Sequence, residues 1–162
     1  MCVSTLRSRG ICWRPSSVFR RLGVFVLVGL GPGLAAAHTQ NGSLGSAAAA
    51  TDYYQIVCSD DGAGPPQSLT VQIRDEAPVA APLVSVQVRA GDQLANTTDP
   101  TDGDANPSPA IHVDGGPQAV YEVLVDKSAA GSESYVLTYH CVTGQGGTGL
   151  HTGTDLFVRQ NQ

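Results

Sequence analysis

The densest group of oxygen-donating side chains in this 162-residue sequence lies at residues 99–106. The segment reads Asp-Pro-Thr-Asp-Gly-Asp-Ala-Asn, and its candidate ligands are Asp99, Asp102, Asp104 and Asn106. Ca²⁺ takes about six to eight oxygen ligands, which alternating Asp and Asn in a glycine-containing loop often supply. The spacing departs from that of an EF-hand loop, and no glutamate closes the segment. Two interpretations stay open: a Ca²⁺ site, or a solvated turn that uses Asp, Asn and Pro for their backbone preferences.

Histidine offers a second kind of metal chemistry. The sequence has four histidines, which are His38, His112, His140 and His151. If a leader is cut after Ala37, His38 becomes the N-terminal residue, and its free amine and imidazole would form a chelate suited to Cu(II). The alternative is that three histidines lie at strand or loop edges and His38 at a frayed terminus, with no ligand role.

Two cysteines, Cys58 and Cys141, follow the predicted leader, and each ends a strand-like segment. An exported chain reaches an oxidising compartment, so a disulfide between them is predicted, with two free thiols or a metal pair as alternatives. Closing so long a loop would stabilise the fold by about 4–5 kcal/mol in the chain-entropy model. Alternation along a strand places His140 on the opposite face from Cys141, so this histidine is poorly placed to activate the thiol.

The sequence carries no catalytic motif that we recognise. It contains neither a Gly-x-Ser-x-Gly elbow nor His-Glu-x-x-His. The glycine-rich residues 144–149 lack the lysine and the following helix of a P-loop, so a flexible hairpin connection is predicted there. Asp75 and Glu76 are interpreted as the end of a strand rather than as a pair of catalytic acids. We therefore expect a non-enzymatic binding or structural module of unknown ligand. The alternative is a periplasmic or extracellular metal-binding protein, with Ca²⁺ in the acidic loop or copper at His38, and a secreted hydrolase is the third-ranked function.

Residues 1–37 are predicted to be a secretory signal peptide. Five arginines precede an apolar segment at residues 24–34, and three alanines at 35–37 provide the small residues that precede a cut near Ala37–His38. A membrane span is the competing interpretation, but it needs roughly 20 apolar residues, and this segment is shorter and interrupted by Gly-Pro-Gly. We expect a secreted or periplasmic protein that is not inserted in the membrane after cleavage.

The charge of the mature chain excludes some classes of partner. Removal of residues 1–37 leaves four basic residues against all fourteen acidic ones, a net charge of −10. Nucleic acid and anionic membranes both require a cationic surface, so neither is an expected partner. An acidic surface is compatible with solubility or with divalent-cation binding. We expect a protein or polysaccharide partner of unknown identity and no cofactor other than the Ca²⁺ considered above.

The elements that must position these residues are predicted to be β-strands. Seven short segments bounded by turn residues are predicted strands, at residues 52–58, 68–74, 83–90, 110–113, 119–125, 135–141 and 154–159. Alternation of apolar and polar side chains is clearest for Leu69, Val71 and Ile73. Parallel βαβ units need crossover helices, and no segment shows a convincing amphipathic helix. The sequence predicts one all-β domain at residues 52–162, an antiparallel β-sandwich of about seven to eight strands, Ig-like or jelly-roll-like, with one disulfide.

Two further segments are predicted to be irregular. Residues 38–51 are rich in Gly, Ala and Ser, which predicts a flexible N-terminal tail that would leave His38 without a fixed position. Residues 94–109 are polar and contain three prolines, which predicts the longest irregular stretch inside the domain.

From residue 52 to residue 142 the order of elements resembles the bacterial pre-peptidase C-terminal domain, a secreted β-sandwich. The matching features are Asp-Tyr-Tyr-Gln-Ile at 52–56, the strand at 69–73, the acidic loop at 99–106, and the late strands at 121–125 and 135–138. The resemblance implies a non-catalytic domain that accompanies a secreted enzyme and is tied to calcium or to polymeric ligands. The two cysteines are not part of that pattern. The Tyr139-x-Cys141 spacing also resembles the tyrosine corner of immunoglobulin-like domains.

Overall fold

The structure is a computed structural model, and it describes residues 37–78 and 82–162. Those residues form nine strands and one 3-10 helix. The strands are β1 (His38–Leu44), β2 (Asp52–Ser59), β3 (Ser68–Asp75), β4 (Val84–Ala90), β5 (Gln93–Thr98), β6 (Ile111–Asp114), β7 (Val120–Lys127), β8 (Glu133–Val142) and β9 (His151–Gln160), and the 3-10 helix is Gln145–Gly147. The predicted all-β class is confirmed. The signal peptide predicted at residues 1–37 lies outside the described residues, except for Ala37.

The strands pair in antiparallel fashion and form two layers that β9 joins. One layer has the order β6-β3-β8-β1, and the other has the order β5-β4-β7-β2-β9. His151 and Thr152 of β9 pair with β8, whereas residues 153–160 pair with β2. The outermost strands β5 and β6 also approach each other, since the Thr97 hydroxyl donates to the Pro109 carbonyl at 3.0 Å. The predicted antiparallel sandwich is therefore confirmed, with nine strands in a nearly closed, barrel-like arrangement.

The core contains the side chains that the sequence pattern assigns to the inner faces. The buried set includes Leu69, Val71 and Ile73 of β3, Val84, Val86 and Val88 of β4, Tyr121, Val123 and Val125 of β7, and Tyr135, Leu137, Tyr139 and Cys141 of β8. Tyr54, Tyr121 and Tyr135 are the largest fully buried side chains. The Tyr135 hydroxyl donates to Asp52 Oδ2 at 2.6 Å and lies 2.6 Å from the Tyr54 hydroxyl. Tyrosines thus fill the core: the hydroxyls of Tyr54 and Tyr135 have partners, whereas that of Tyr121 is buried without one among the described residues.

The predicted disulfide is confirmed. Cys58 of β2 and Cys141 of β8 are joined, with their Cα atoms 5.7 Å apart and 83 residues between them in the sequence. Both residues are buried. The bond links the two layers covalently, close to where β9 passes from one layer to the other.

The interpretation of residues 38–51 as a flexible tail is wrong for residues 38–44. These residues form β1, which pairs with β8 from His38 opposite Tyr139 to Leu44 opposite Glu133. A side chain at Gly42 would collide with the ring of Tyr135, so glycine is what allows the strand to lie against that ring. The composition suggested flexibility, but the β8 edge offers partners for the backbone groups of this segment.

Two other segments predicted to be irregular are more ordered than expected. Residues 93–98 form the edge strand β5, which pairs with β4 and leaves Leu94 exposed. Its polar side chains gave no clear alternation. The glycine-rich connection after β8 contains the 3-10 helix, and β9 begins at His151, earlier than predicted. In the described part of the chain, no helix is long and apolar enough to cross a membrane.

Candidate metal centre

Two acidic residues occupy core-facing positions at one end of the layer that contains β3 and β8. Asp75 ends β3 and continues the inward series that includes Ile73, while Glu133 begins β8, two residues before the buried Tyr135. Asp75 pairs with Tyr135, so Glu133 is its diagonal neighbour on the same face. Asp75 is 0% exposed and Glu133 is 2% exposed. Carboxylates are almost never buried to this degree unless they have a partner.

The connection between β5 and β6 brings a third carboxylate, that of Asp102, to the same place. The connection is held along β3, because Gly103 N–H donates to the Asp75 carbonyl at 3.3 Å and Ser108 N–H donates to the Ile73 carbonyl at 2.7 Å. One carboxylate oxygen from each of Asp75, Asp102 and Glu133 lies within 4.8 Å of the other two. We call these three residues the carboxylate cluster. Since Ca²⁺–oxygen distances are about 2.3–2.6 Å, one ion can contact all three oxygens.

Several oxygens of the carboxylate cluster are buried without a hydrogen-bond partner among the described residues. They are Asp75 Oδ1, Glu133 Oε2, and both Oδ1 and Oδ2 of Asp102. The other oxygen of Asp75, Oδ2, accepts from Val84 N–H at 2.8 Å. Burial of a charged oxygen without a partner costs several kcal/mol, so such atoms in a folded protein call for a cation, a proton or an ordered water as partner.

The electrostatics of the carboxylate cluster also favour a positive partner. The pKa of Asp75 is raised to about 7, mainly by burial: the Val84 N–H opposes the increase, and the charges of Asp102, Glu133 and Asp99 add to it. Burial likewise raises the pKa of Glu133, with Asp102 adding to the increase. The charge of Asp102 thus makes ionisation of both Asp75 and Glu133 less favourable, which is what a bound cation would reverse.

Lys127 is the nearby cation, but its ammonium group is held elsewhere. It is buried, and it donates to the carbonyls of Gly45 and Gly131. Its charge lowers the pKa of Glu133, although the two groups are not in contact as an ion pair. In the described part of the chain the ion pairs are Arg74–Glu76 and Arg89–Glu122. Lys127 therefore offsets part of the negative charge without occupying the centre of the carboxylate cluster.

The structure places the four residues of the predicted calcium loop in different surroundings. Asp102 belongs to the carboxylate cluster, whereas Asp99 is buried and accepts from Asp75 N–H at 2.8 Å and from Thr101 N–H at 3.1 Å. The carboxylate of Asp104 accepts from the backbone and side-chain amides of Asn106, at 2.6 and 3.0 Å. Asp99 thus orients the strand end that carries Asp75, while Asp104 and Asn106 form a local turn.

Asp75 and Glu133 were not predicted as ligands, although the sequence contains a signal for both. Each continues the alternation of core-facing residues beyond the apolar part of its strand: Asp75 follows Leu69, Val71 and Ile73, and Glu133 precedes Tyr135 and Leu137. An acid in a core-facing position must be neutralised or ligated. What the sequence does not record is that both acids lie at the same end of one layer.

His38 and the other three histidines lie at the opposite end of this layer, which we call the histidine end. His38 begins β1 and is exposed, with its ring centroid 5.8 Å from that of Tyr139. His140 of β8 stacks on His151 of β9 with the ring centroids 4.1 Å apart. Nδ1 of His112 lies 3.0 Å from the Thr70 hydroxyl. His38 is therefore fixed by a strand, contrary to the predicted tail, and it is remote from the carboxylate cluster.

No protein-family model, curated protein or solved structure matches this chain. The resemblance to pre-peptidase C-terminal and immunoglobulin-like domains thus stays a prediction from the residues that carry it. An all-β sandwich does not specify a function, because the same architecture supports many unrelated ones. The carboxylate cluster is the feature from which a function can be inferred.

Proposed function

We propose that this chain is an exported, non-enzymatic β-sandwich module that binds a divalent cation, Ca²⁺, at the carboxylate cluster. The observation that carries the proposal is the convergence of Asp75, Asp102 and Glu133, whose buried oxygens have no other partner among the described residues. A cation between them would provide the missing partner and remove their mutual repulsion.

The donor set favours a hard cation over a transition metal. All three donors are carboxylates, which suit Ca²⁺, Mg²⁺ and Mn²⁺, whereas thiolates are excluded because Cys58 and Cys141 form the disulfide. Ca²⁺ accepts irregular geometry and several protein ligands, while Mg²⁺ keeps most of its water. The charges also balance: three carboxylates are matched by one divalent ion together with the nearby Lys127 ammonium.

The role that we propose for the ion is structural. Its ligands come from the end of β3, the start of β8 and the β5–β6 connection, so binding would hold that connection against the sandwich. Two of the three ligands are almost fully buried, which leaves little access for a substrate. Export is supported by the disulfide, which persists in oxidising compartments. The module would then present its acidic surface to a protein or polysaccharide partner.

Unfolding of the mature chain with and without Ca²⁺ tests this proposal. After EDTA treatment, added Ca²⁺ should raise the melting temperature, with a stabilisation of about 2.7 kcal/mol when free Ca²⁺ is 100 times the dissociation constant. Asp102→Asn should weaken Ca²⁺ binding by at least about ten-fold in calorimetry, because it removes a charged ligand that is less buried than the other two. Asp104→Asn is the matched control in the same connection, and it should bind Ca²⁺ like the unmodified chain.

Two results would contradict the proposal. One is a melting temperature that EDTA and Ca²⁺ leave unchanged; the other is an equal loss of affinity in the Asp102→Asn and Asp104→Asn variants. Parallel titrations with Mg²⁺ test the choice of ion, since stabilisation by Mg²⁺ alone would assign the carboxylate cluster to the smaller cation.

A further inference from the structure

The four histidines of the chain meet at the histidine end, far from the carboxylate cluster. His140 is seven residues along β8 from Glu133, roughly 23 Å at the rise of an extended strand. In the strand register, His38 pairs with Tyr139, His151 with Val142, and both His112 and His140 with Thr70. Four elements, β1, β6, β8 and β9, therefore each bring one imidazole to the same region.

His140 and His151 form the centre of this group. Their rings stack with centroids 4.1 Å apart and planes inclined by 14°. His140 is half-buried, and its Nδ1 is buried without a hydrogen-bond partner in the part of the chain that the structure describes. An unpartnered buried nitrogen costs about 1–3 kcal/mol, so this atom indicates a partner from outside the chain.

The surroundings keep His140 in the protonation state that a ligand needs. Burial, and to a lesser extent the nearby His151, His112 and His38, lower its pKa to about 4. His140 is consequently a neutral imidazole at physiological pH, the form in which histidine coordinates metals without first losing a proton.

We propose that His140 and His151 are two ligands of a transition-metal site, distinct from the carboxylate cluster, whose preferred ion is Cu²⁺. Imidazole nitrogens suit Cu²⁺ and Zn²⁺ and not Ca²⁺, and Cu²⁺ binds most tightly in the general order of divalent metals. If the leader is cut after Ala37, His38 has a free amine. His38 pairs with Tyr139, the neighbour of His140 in β8, so this amine is the candidate third ligand.

Metal binding requires the stacked rings to tilt. Coordination bonds lie in the plane of an imidazole, so two nearly parallel rings cannot share an ion without rotation of one of them. We expect His151 to be the ring that rotates, because it is the first residue of β9 and follows the exposed Leu150, whereas His140 lies inside β8. His112 is held differently: its Nδ1 is engaged by Thr70, and its ring lies over Gly147, where a side chain would collide with it.

Cu²⁺ titration of the mature chain, with Ca²⁺ present in excess, tests the site. Calorimetry should show one Cu²⁺ bound per chain, and electron paramagnetic resonance should show nitrogen ligands. His140→Gln and His151→Gln should each weaken Cu²⁺ binding by at least ten-fold, whereas His112→Gln should change it by less than three-fold. Circular dichroism on each variant confirms that the β fold is retained.

Equal Cu²⁺ affinity in the unmodified chain and in both the His140→Gln and His151→Gln variants would overturn the proposal. So would a loss of binding that only His38→Gln produces, since this would place the ion at the chain terminus alone. The Asp102→Asn variant keeps the two sites separable: it should weaken Ca²⁺ binding and leave Cu²⁺ binding unchanged, so failure of one proposal does not decide the other.

Discussion

The two carboxylate oxygens of Asp75 differ: one accepts a hydrogen bond, and the other has no partner and lies near other acidic side chains. Oδ2 accepts from Val84 N–H, while Oδ1 has no hydrogen-bond partner among the described residues, and the carboxylate belongs to the carboxylate cluster. In the absence of a cation, protonation is the least costly way to remove the buried negative charge. Burial and the neighbouring acids therefore raise the pKa of Asp75 to about 7. Cation and proton compete for the same oxygen, so Ca²⁺ affinity should increase as the pH rises through 7.

The raised pKa of Asp75 predicts how stability depends on pH when metal is removed. In the unfolded chain Asp75 titrates at its ordinary pKa of 3.8, and in the folded chain it titrates at about 7. The folded chain therefore holds a proton that the unfolded chain has lost, so this contribution is complete below pH 3.8 and is lost as the pH rises through 7. Between pH 5 and pH 8 the loss should be roughly 2–3 kcal/mol.

Asp75→Asn isolates this contribution, because Asn keeps an acceptor for Val84 N–H and cannot ionise. In urea unfolding with EDTA, the variant should gain stability relative to the unmodified chain as the pH rises from 5 to 8. The comparison cancels His140, whose lowered pKa gives a slope of opposite sign below pH 6.5 in both proteins. Asp92→Asn, in an exposed turn, is the control and should show no such gain. A difference that does not change with pH would show that Asp75 is ionised throughout.

At the scale of elements, alternation predicted the strands that form the core and missed two strands at its edges. In β3, β4, β7 and β8, apolar residues at every second position of the sequence form the inner faces. In β1, by contrast, Leu44 is the one buried residue, and the strand owes its structure to the β8 edge and to the fit of Gly42 against Tyr135. Tertiary contacts of this kind leave no periodic pattern.

The candidate metal centre shows the same limit. Asp102 could be predicted, because Asp and Asn residues are close to it in the sequence. Asp75 and Glu133 are separated from Asp102 by 27 and 31 residues in the sequence. The antiparallel register of β3 and β8 brings Asp75 and Glu133 close to each other. Local spacing in the sequence therefore identified one candidate metal ligand, Asp102, and the strand topology identifies the other two candidates.

Leu44 tests whether β1 is an integral strand. Leu44→Ala should cost about 2–5 kcal/mol in urea unfolding, because the side chain is 1% exposed and its removal leaves a cavity beside the core. Leu94→Ala, at a strand residue that is 69% exposed, is the matched control and should cost less than about 0.5 kcal/mol. Hydrogen exchange should show protected amides within residues 39–44. Equal costs for the two leucines, or unprotected amides in this segment, would restore the interpretation of residues 38–44 as a flexible tail.

At the scale of the whole described domain, each end of the sandwich has its own means of holding the layers and connections together. The disulfide lies at the histidine end, where Cys141 follows His140 and β9 passes between the layers. The carboxylate cluster lies at the other end, where the proposed ion would link β3 and β8 to the β5–β6 connection. One link is covalent and constrains the unfolded chain, and the other would be ionic and stabilise the folded chain.

Because the two links act at opposite ends, their contributions to stability should add. Cys58→Ala combined with Cys141→Ala should lower the free energy of unfolding by about 4–5 kcal/mol without Ca²⁺, and should increase the urea m-value because the unfolded chain becomes less compact. The unmodified chain with its disulfide reduced is the control for any cavity that alanine leaves. Saturating Ca²⁺ should then stabilise the oxidised chain and the double variant equally, to within about 0.5 kcal/mol. A larger discrepancy would mean that the disulfide and the carboxylate cluster are coupled through the core that lies between them.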